Sequence, residues 1–440
     1  MVGGAYEVVP SCLRCPEEDE VSHDGPAELD RVVGDRLVQP LYQPLVELDR
    51  MEVIGYEALA RGPQGALQTP DRLFAAARAG GRLVELDWLC RERAVEGARQ
   101  AGLRHPLSLF VNAEPETLVA SIGDAARWRE FADVRCFAEL TERALVADPS
   151  TLLRAVDQVR EQDWGVAIDD LGVHPASLAL LPMLQPDVIK LDLHLLQRPP
   201  SGPDDVQVAR VLHAALSQAA ATGATVVAEG IETEAQLDLA RAYGVHYGQG
   251  WLLGRPAPLP RPLASPPVAV PLVRRLLDRS VPPGAFAVVS SSTATRPVDP
   301  AGLREVARQL LAQALHQEPA SVVLVCVGAP GQLDARHDAL LQQLAGGPLT
   351  AVLAGQPEAF TAPGVATWPL QPGDPAGHDV DVVVVAPHYA AALVARPSMS
   401  DGDGETLDAV LTFDRDLVSA AAHSLVLRLE KGWSGTAVPA

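Results

Sequence analysis

Short apolar runs along the first part of the chain end in groups able to bind a metal or carry charge. These are Glu57, Asn112, Glu139, the pair Asp169 and Asp170, Lys190 with Asp192, and Glu229. One carboxylate at the end of a strand is commonplace. Several converging on one mouth repel strongly unless cations neutralise them. Oxygen-rich clusters suit hard divalent ions, Mg²⁺ or Mn²⁺. Two such ions bridged by a shared aspartate can activate water against a phosphodiester. Lys190 and Lys431 are the two lysines of a chain whose positive charge is otherwise arginine, which fits a need for a compact ammonium at position 190. The bland reading is a fold with incidental carboxylates.

Convergence requires elements that carry distant residues to one end of a fold. β-rich runs recur over 38–48, 53–59, 107–112, 134–140, 166–170, 188–192, 225–230 and 246–252. Amphipathic stretches separate most of them, such as 151–162 with Leu152, Leu153, Val156 and Val159, and 204–222. The first two runs, joined by Leu48-Asp49-Arg50-Met51-Glu52, suit an antiparallel hairpin, and the rest suit parallel β/α units. Eight such strands predict a barrel, where functional side chains sit at the C-terminal strand ends. The proline-rich run Arg255-Pro256-Ala257-Pro258-Leu259-Pro260-Arg261-Pro262, continuing to Pro266-Pro267, predicts a linker. Beyond it, 285–290, 321–327, 350–354 and 381–386 read as strands, and 301–316, 335–344 and 417–429 as helices, of a second α/β unit.

Tyr56-Glu57-Ala58-Leu59-Ala60-Arg61 resembles the namesake motif of EAL domains, the phosphodiesterases that linearise cyclic di-GMP. The resemblance extends through Phe110-Val111-Asn112, Glu139-Leu140-Thr141-Glu142, Ile168-Asp169-Asp170-Leu171-Gly172, Ile189-Lys190-Leu191-Asp192, Ala228-Glu229-Gly230-Ile231-Glu232 and Gly248-Gln249-Gly250-Trp251. It closes with Gly254-Arg255-Pro256 and covers about residues 35–258. It implies a TIM-like (β/α)8 barrel of the EAL type, with one antiparallel strand, and metal-dependent hydrolysis of cyclic di-GMP to linear pGpG. By the same resemblance, Glu57, Asn112, Glu139 and Asp169 hold a first Mg²⁺ or Mn²⁺, and Asp169 bridges to a second helped by Asp170. Lys190 positions the attacking water, and Glu229 is either general base or second-metal ligand. Gln43, Leu59, Arg61, Asp192 and Gln249 match ligand-contacting positions. Glu142 matches a residue that braces the loop after Asp170, and Glu232 one that supports the metal side of the pocket. A homodimer through the barrel is implied as well.

One stretch departs from the family pattern. Active members usually follow the Asp-Asp pair with Phe-Gly, then Thr or Ala, then Gly-Tyr-Ser-Ser. This chain has Leu171-Gly172-Val173-His174-Pro175-Ala176-Ser177, and Pro175 stiffens a loop that glycine would leave flexible. In the family this loop supports second-metal binding and dimer contacts. The alternative to an enzyme is therefore a weak or inactive cyclic di-GMP receptor or scaffold that signals through a protein partner.

In the second unit, Ala386-Pro387-His388-Tyr389 with the following residues to Arg396, and Leu411-Thr412-Phe413-Asp414-Arg415-Asp416-Leu417-Val418, resemble the DICT domain. That is a sensory module found with cyclic di-GMP enzymes and two-component proteins. Thr412 or Asp414 could cap the last helix. His388, Tyr389, Asp414 and Arg415 either line a pocket or pair across a packed interface. The expected division is an acidic, disordered tail (1–30), an EAL domain (31–258), a Pro-rich linker (259–270), a smaller DICT-like α/β sensory domain (271–432) and a tail (433–440). The stimulus and any protein partner of the sensory domain are not legible.

The 440 residues carry 35 basic and 56 acidic side chains, a net charge of −21. Such a surface repels polyanions, which argues against polymeric nucleic acid or an anionic membrane as partner. A small cyclic dinucleotide remains compatible, because part of the acidity is concentrated where metals would bind. Five cysteines, odd in number and mostly far apart, do not form a disulfide framework and fit a reducing cytoplasm. Cys12 and Cys15, with His23 nearby, lack the second ligand pair of a zinc site and read as tail thiols. No secretory signal is visible, and the apolar stretch 381–395 is broken by Pro387 and His388, so no membrane span is expected.

Overall fold

The computed structural model describes residues 25–121, 124, 127–128, 131–141, 148–171, 175–192, 204–266, 268–273, 284–317, 321–360, 362–398 and 406–429. Eight strands close into a barrel in sequence order. Strand β1 (Gln39–Glu47) runs antiparallel to β2 (Glu52–Arg61), and their turn places Met51 at φ 55°. Parallel strands follow: β3 (Ser108–Asn112), β4 (Cys136–Thr141), β5 (Gly165–Leu171), β6 (Val188–Asp192), β7 (Thr225–Glu229) and β8 (Tyr247–Gly248), the last pairing antiparallel with β1 to close the ring.

Helices cover the outside: α1 (Gly25–Gly34), α2 (Pro70–Ala79), α3 (Leu83–Ala101), α4 (Pro115–Ala120), α5 (Pro149–Glu161), α6 (Leu181–Leu184), α7 (Asp204–Thr222) and α8 (Glu234–Ala242). Local chemistry sets several ends. Asp148 caps α5 by accepting from the Thr151 N–H, and Pro149 supplies a first-turn residue that needs no donor. Thr233 and Gln236 cap α8 reciprocally.

Three elements differ from the sequence expectation. Residues 25–30, expected within a disordered tail, form the first turns of α1, which buries Leu29 and Val32 against α2 and α3. Cys12 and Cys15 lie outside the described residues. Strand β8 has two residues rather than the span 246–252, because Gly250 turns at φ 155° with the backbone of Ile231 where a side chain would be. Residues 285–290, expected as a strand, form helix α9 (Ala285–Ser290). A six-residue apolar run has too few turns for its period to declare itself, and here it packs under a sheet rather than within it.

The second unit is a seven-stranded mixed sheet in the order β12-β11-β10-β13-β14-β15-β9. Its strands are β9 (Arg296–Val298), β10 (Val322–Val327), β11 (Leu349–Ala354), β12 (Ala366–Pro369), β13 (Val380–Ala386), β14 (Tyr389–Pro397) and β15 (Leu407–Thr412). Helices α10 (Pro300–Leu315) and α11 (Ala335–Leu344) cover one face, burying Leu303, Leu311 and Leu341 on Val323, Val325, Val382 and Val384. The other face packs on α9 and on α12 (Arg415–Val426), where Asp414 caps the first turn. Arg415 donates to the Ala386 and Pro387 carbonyls, fixing the β13–β14 turn that breaks the long apolar stretch.

That second face joins the barrel. Val383, Val385, Val418 and Leu425 belong to one continuous apolar core with Leu152, Val156, Leu178 and Leu181 of the barrel's outer layer. Helix α12 contacts α5 and α6 directly. His423 Nε2 lies 3.1 Å from Asp157 Oδ2, and Arg154 donates to the Leu427 carbonyl at 2.9 Å. No described helix is long and apolar enough to cross a membrane.

Candidate active site

Inside the barrel, side chains alternate between inward and outward, and the inward ones stack in layers. Leu45, Phe110, Phe137, Ala167, Val188 and Val227 form an apolar layer, with the Phe110 and Phe137 rings stacked at 4.7 Å. One pleat further toward the C-terminal strand ends, the inward positions become Glu57, Asn112, Glu139, Asp169, Lys190 and Glu229. The two-residue period thus converts six separate sequence motifs into one polar layer on an apolar base.

Lys190 sits at its centre, fully buried. Its Nζ is 2.7 Å from Glu229 Oε1, 2.8 Å from Glu139 Oε1, 2.9 Å from Asp169 Oδ1 and 3.4 Å from Glu57 Oε2. An ammonium has three N–H groups for these four carboxylates. Although both lie close to Nζ, Glu139 Oε1 and Asp169 Oδ1 lack a well-directed hydrogen bond. Asn112 Nδ2 reaches Glu57 Oε1 at 3.2 Å and Glu139 Oε2 at 3.5 Å. Gln249 Nε2 donates to Glu57 Oε2 at 2.6 Å and to Gln43 Oε1 at 3.2 Å, while Gln43 donates onward to the Gly254 carbonyl.

The charge balance is strained. Burial and the neighbouring Glu57 push the Glu139 carboxyl well above the usual range. Burial does the same to Glu229, against the pull of Lys190. Asp169 is buried too, but Lys190 brings it below its ordinary value. Lys190 itself resists the effect of burial, because the carboxylates around it hold its proton well above the usual lysine range. Asp170, raised to about 6 by burial and by Asp169, lies at an irregularity in the β5–β6 pairing, with φ at 56°. That bulge turns two consecutive aspartates toward one side. Oxygen atoms of Asp169, Asp170 and Glu229 all lie within 4.8 Å of one another. An all-oxygen donor set with surplus negative charge fits a divalent cation of the Mg²⁺ or Mn²⁺ type.

The remaining expected residues fall around this layer or away from it. Asp192 lies at the end of β6, in register with Glu229. Leu59 and Arg61 lie in the last three residues of strand β2, and Arg61 donates to the Ala60 carbonyl at 2.8 Å. Glu232 is exposed, its N–H donating to Gln236 Oε1 at 2.6 Å, and no described contact brings its carboxylate to the layer. Glu142 and the loop 172–174 lie outside the described residues. Trp251 was not singled out from the sequence. It is 53% exposed, in the turn after Gln249, with the Arg255 guanidinium 4.1 Å over its ring. The signal available was an aromatic residue directly after a motif read only for its glutamine.

Comparison with known proteins bears on the barrel. The family model of the EAL domain matches residues 27–256. The chain is 31% identical over 225 residues to the probable cyclic di-GMP phosphodiesterase PdeB of Escherichia coli K12, across 49% of this chain and 42% of that protein. It is 34% identical over 242 residues to the cyclic di-GMP phosphodiesterase NbdA of Pseudomonas aeruginosa, across 53% of this chain and 30% of that one. The chain therefore spans less than half the length of these relatives. Among solved structures, the MucR phosphodiesterase complex with c-di-GMP aligns with a TM-score of 0.46 and 27% identity, across 53% of this chain and 98% of that one. Klebsiella pneumoniae BlrP1, in a calcium and c-di-GMP complex, aligns at 0.43 and 27%, across 50% of this chain and 56% of that one. With the family model covering more than half of the chain, and its motifs meeting in one polar layer at the barrel mouth, the chain belongs to the EAL domain family.

Proposed function

We propose that this protein hydrolyses cyclic di-GMP to linear pGpG. The observation that carries the reading is the Lys190 ammonium held among four carboxylates at the barrel mouth. Glu57, Asn112, Glu139 and Asp169 would hold one Mg²⁺ or Mn²⁺, and Asp169, Asp170 and Glu229 a second. Bound there, the ions supply Lewis acidity and the positive charge that a phosphodiester requires in so acidic a pocket. Lys190 orients the attacking water through an N–H, and Glu229, whose own proton is displaced when cations bind, takes up the water's proton. The water oxygen bonds to phosphorus as the bond from phosphorus to the 3′ oxygen breaks, leaving a 5′-phosphate and a 3′-hydroxyl. Arg61 forks onto a phosphate or guanine edge. Gln43, Leu59, Asp192 and Gln249 frame the rest of the nucleotide.

The second unit is read as a DICT-like sensory module that tunes this site. Self-association through the barrel uses a face other than the α5–α6 side, which the second unit covers. A second reading, a receptor that binds the nucleotide without cleaving it, is favoured by the altered sequence after Asp170. Incubating the purified chain with cyclic di-GMP and Mn²⁺ or Mg²⁺, followed by chromatography, separates the two. Appearance of pGpG, abolished by Glu57→Ala, supports the enzyme. Tight binding without product supports the receptor.

A further inference from the structure

The stretch 268–273 follows a proline-rich run that looks like a tether, yet Val270 enters the barrel and Val273 is buried, while Val268 and Leu272 stay exposed. Val270 is 2% exposed and belongs to the same apolar cluster as Leu45, Phe110, Phe137, Ala167, Val188 and Val227. Those are the inward residues beneath the Lys190 layer. A Cβ on Gly165, the first residue of β5, would meet the Phe137 ring at 2.2 Å and Leu272 Cδ2 at 3.0 Å, so the glycine leaves room for both the apolar layer and the strap. Polar contacts fix the strap in place. The Arg135 guanidinium, from the start of β4, donates to the Val270 carbonyl. Asp187, fully buried just before β6, accepts from the Val273 N–H through Oδ1 at 2.7 Å and from the Val166 N–H through Oδ2 at 2.8 Å. Its backbone continues the tie: the Asp187 N–H donates to the Val166 carbonyl at 2.8 Å, and its own carbonyl accepts from Thr225 at 2.9 Å.

We propose that residues 268–273 are the floor of the barrel, and that Asp187, which ties this floor to β5 and β6, is a positioning residue for Lys190. The inference rests on the hydrolase reading for what Lys190 does. One residue thus joins the starts of β5, β6 and β7 to the strap. Lys190 lies three residues along β6 from Asp187, with Val188 pointing inward between them onto Val270. Lys190 must meet four carboxylates from four other strands at once. A shift of β6 along its neighbours by a fraction of an ångström is therefore read directly as lost contacts. The floor also makes the second unit continuous with the site: the chain enters that unit through the residues that plug the barrel. The matched EAL segment stops at residue 256, before the strap begins.

The test uses the full chain with Asp187→Asn and, separately, Val270→Ala. Asparagine keeps the size and one acceptor of aspartate, but turns an NH₂ toward one of the two N–H donors. Amide exchange at Val166 and Val273, Mn²⁺ binding by calorimetry, and kcat and KM for cyclic di-GMP per folded molecule are measured. Asp187→Asn is expected to speed exchange at both amides at least 10-fold, to shift the Mn²⁺ Kd at least 3-fold, and to lower kcat about 10-fold with KM within 2-fold. Val270→Ala is expected to move the same quantities in the same direction by less. A merely structural role would lower the melting temperature and the folded fraction and leave kcat per folded molecule alone. Unchanged exchange at Val166 and Val273 overturns the strap. Faster exchange with unchanged Mn²⁺ affinity and kcat overturns the positioning role. If the parent protein neither binds Mn²⁺ nor turns over, the hydrolase reading fails and the positioning role falls with it, while amide exchange alone still decides the floor.

Discussion

Asp381 offers a test of the second unit that does not depend on the barrel. It lies on β13 opposite Cys326 of β10, fully buried on the sheet face that meets α9 and α12. Neither of its carboxylate oxygens has a well-formed hydrogen bond. Burial, then the neighbouring Asp379, hold its carboxyl well above the ordinary aspartate value, and a backbone contact at Ala395 with the arginines 396 and 428 does not offset this. The unfolded chain releases this proton near pH 4, whereas the folded protein keeps it to higher pH. Between those limits the native state binds more protons, so stability falls as pH rises. The slope is about 1.4 kcal/mol per pH unit for one proton. Asp381→Asn keeps the shape and has no proton to lose. The variant and parent should have equal stability near pH 4. The variant should gain on the parent at about 1.4 kcal/mol per unit above that until the folded carboxyl itself ionises. Urea denaturation from pH 4 to 8 reads this, and a melting scan should show the gap as roughly 2–4 °C per kcal/mol. A variant less stable than the parent at pH 8, or two curves that stay parallel, would refute the reasoning.

Other perturbations follow from particular contacts. Gly97 on α3 faces the Tyr42 hydroxyl, which would lie 2.2 Å from an alanine Cβ and which donates to the Ala94 carbonyl at 2.8 Å. Gly97→Ala should cost about 1–3 kcal/mol by overpacking, and adding Tyr42→Phe should recover more than half of that in urea melts. His423, 8% exposed in its side chain and paired with Asp157 across the junction of the two units, should cost about 1–3 kcal/mol when replaced by alanine. Asp157→Ala, with 44% of that side chain exposed, should cost less than about 1 kcal/mol in the same assay. A larger loss from Asp157 than from His423 would contradict the assignment of the junction's strength to the buried partner.

Much of the candidate site was legible because each charged group interrupts an apolar run. Glu139 follows Cys136-Phe137-Ala138, and Lys190 sits between Ile189 and Leu191, so burial with a charge was visible before any fold was known. Which groups touch was not legible: register, not sequence spacing, brings Gln249 to Glu57 and leaves Glu232 at the surface. Local chemistry misled at two places. Residues 285–290 carry Val288 and Val289, which favour strands, but packing beneath the sheet made them helical. Residues 268–273 follow a run of prolines that speaks only for the absence of helix and sheet, and an extended strap satisfies that as well as a tether does. Asp187 had a signal, a lone carboxylate directly before an apolar strand, but it stands at the N-terminal end, where a barrel's chemistry is not sought.

The central claim is that this chain directs water onto a phosphodiester of cyclic di-GMP. Turnover in ¹⁸O-labelled water with Mn²⁺, read by mass spectrometry beside Glu57→Ala, tests it most directly. The account predicts pGpG carrying one ¹⁸O on its 5′-phosphate, lost in the variant; no linear product, or an equal yield from Glu57→Ala, would contradict it.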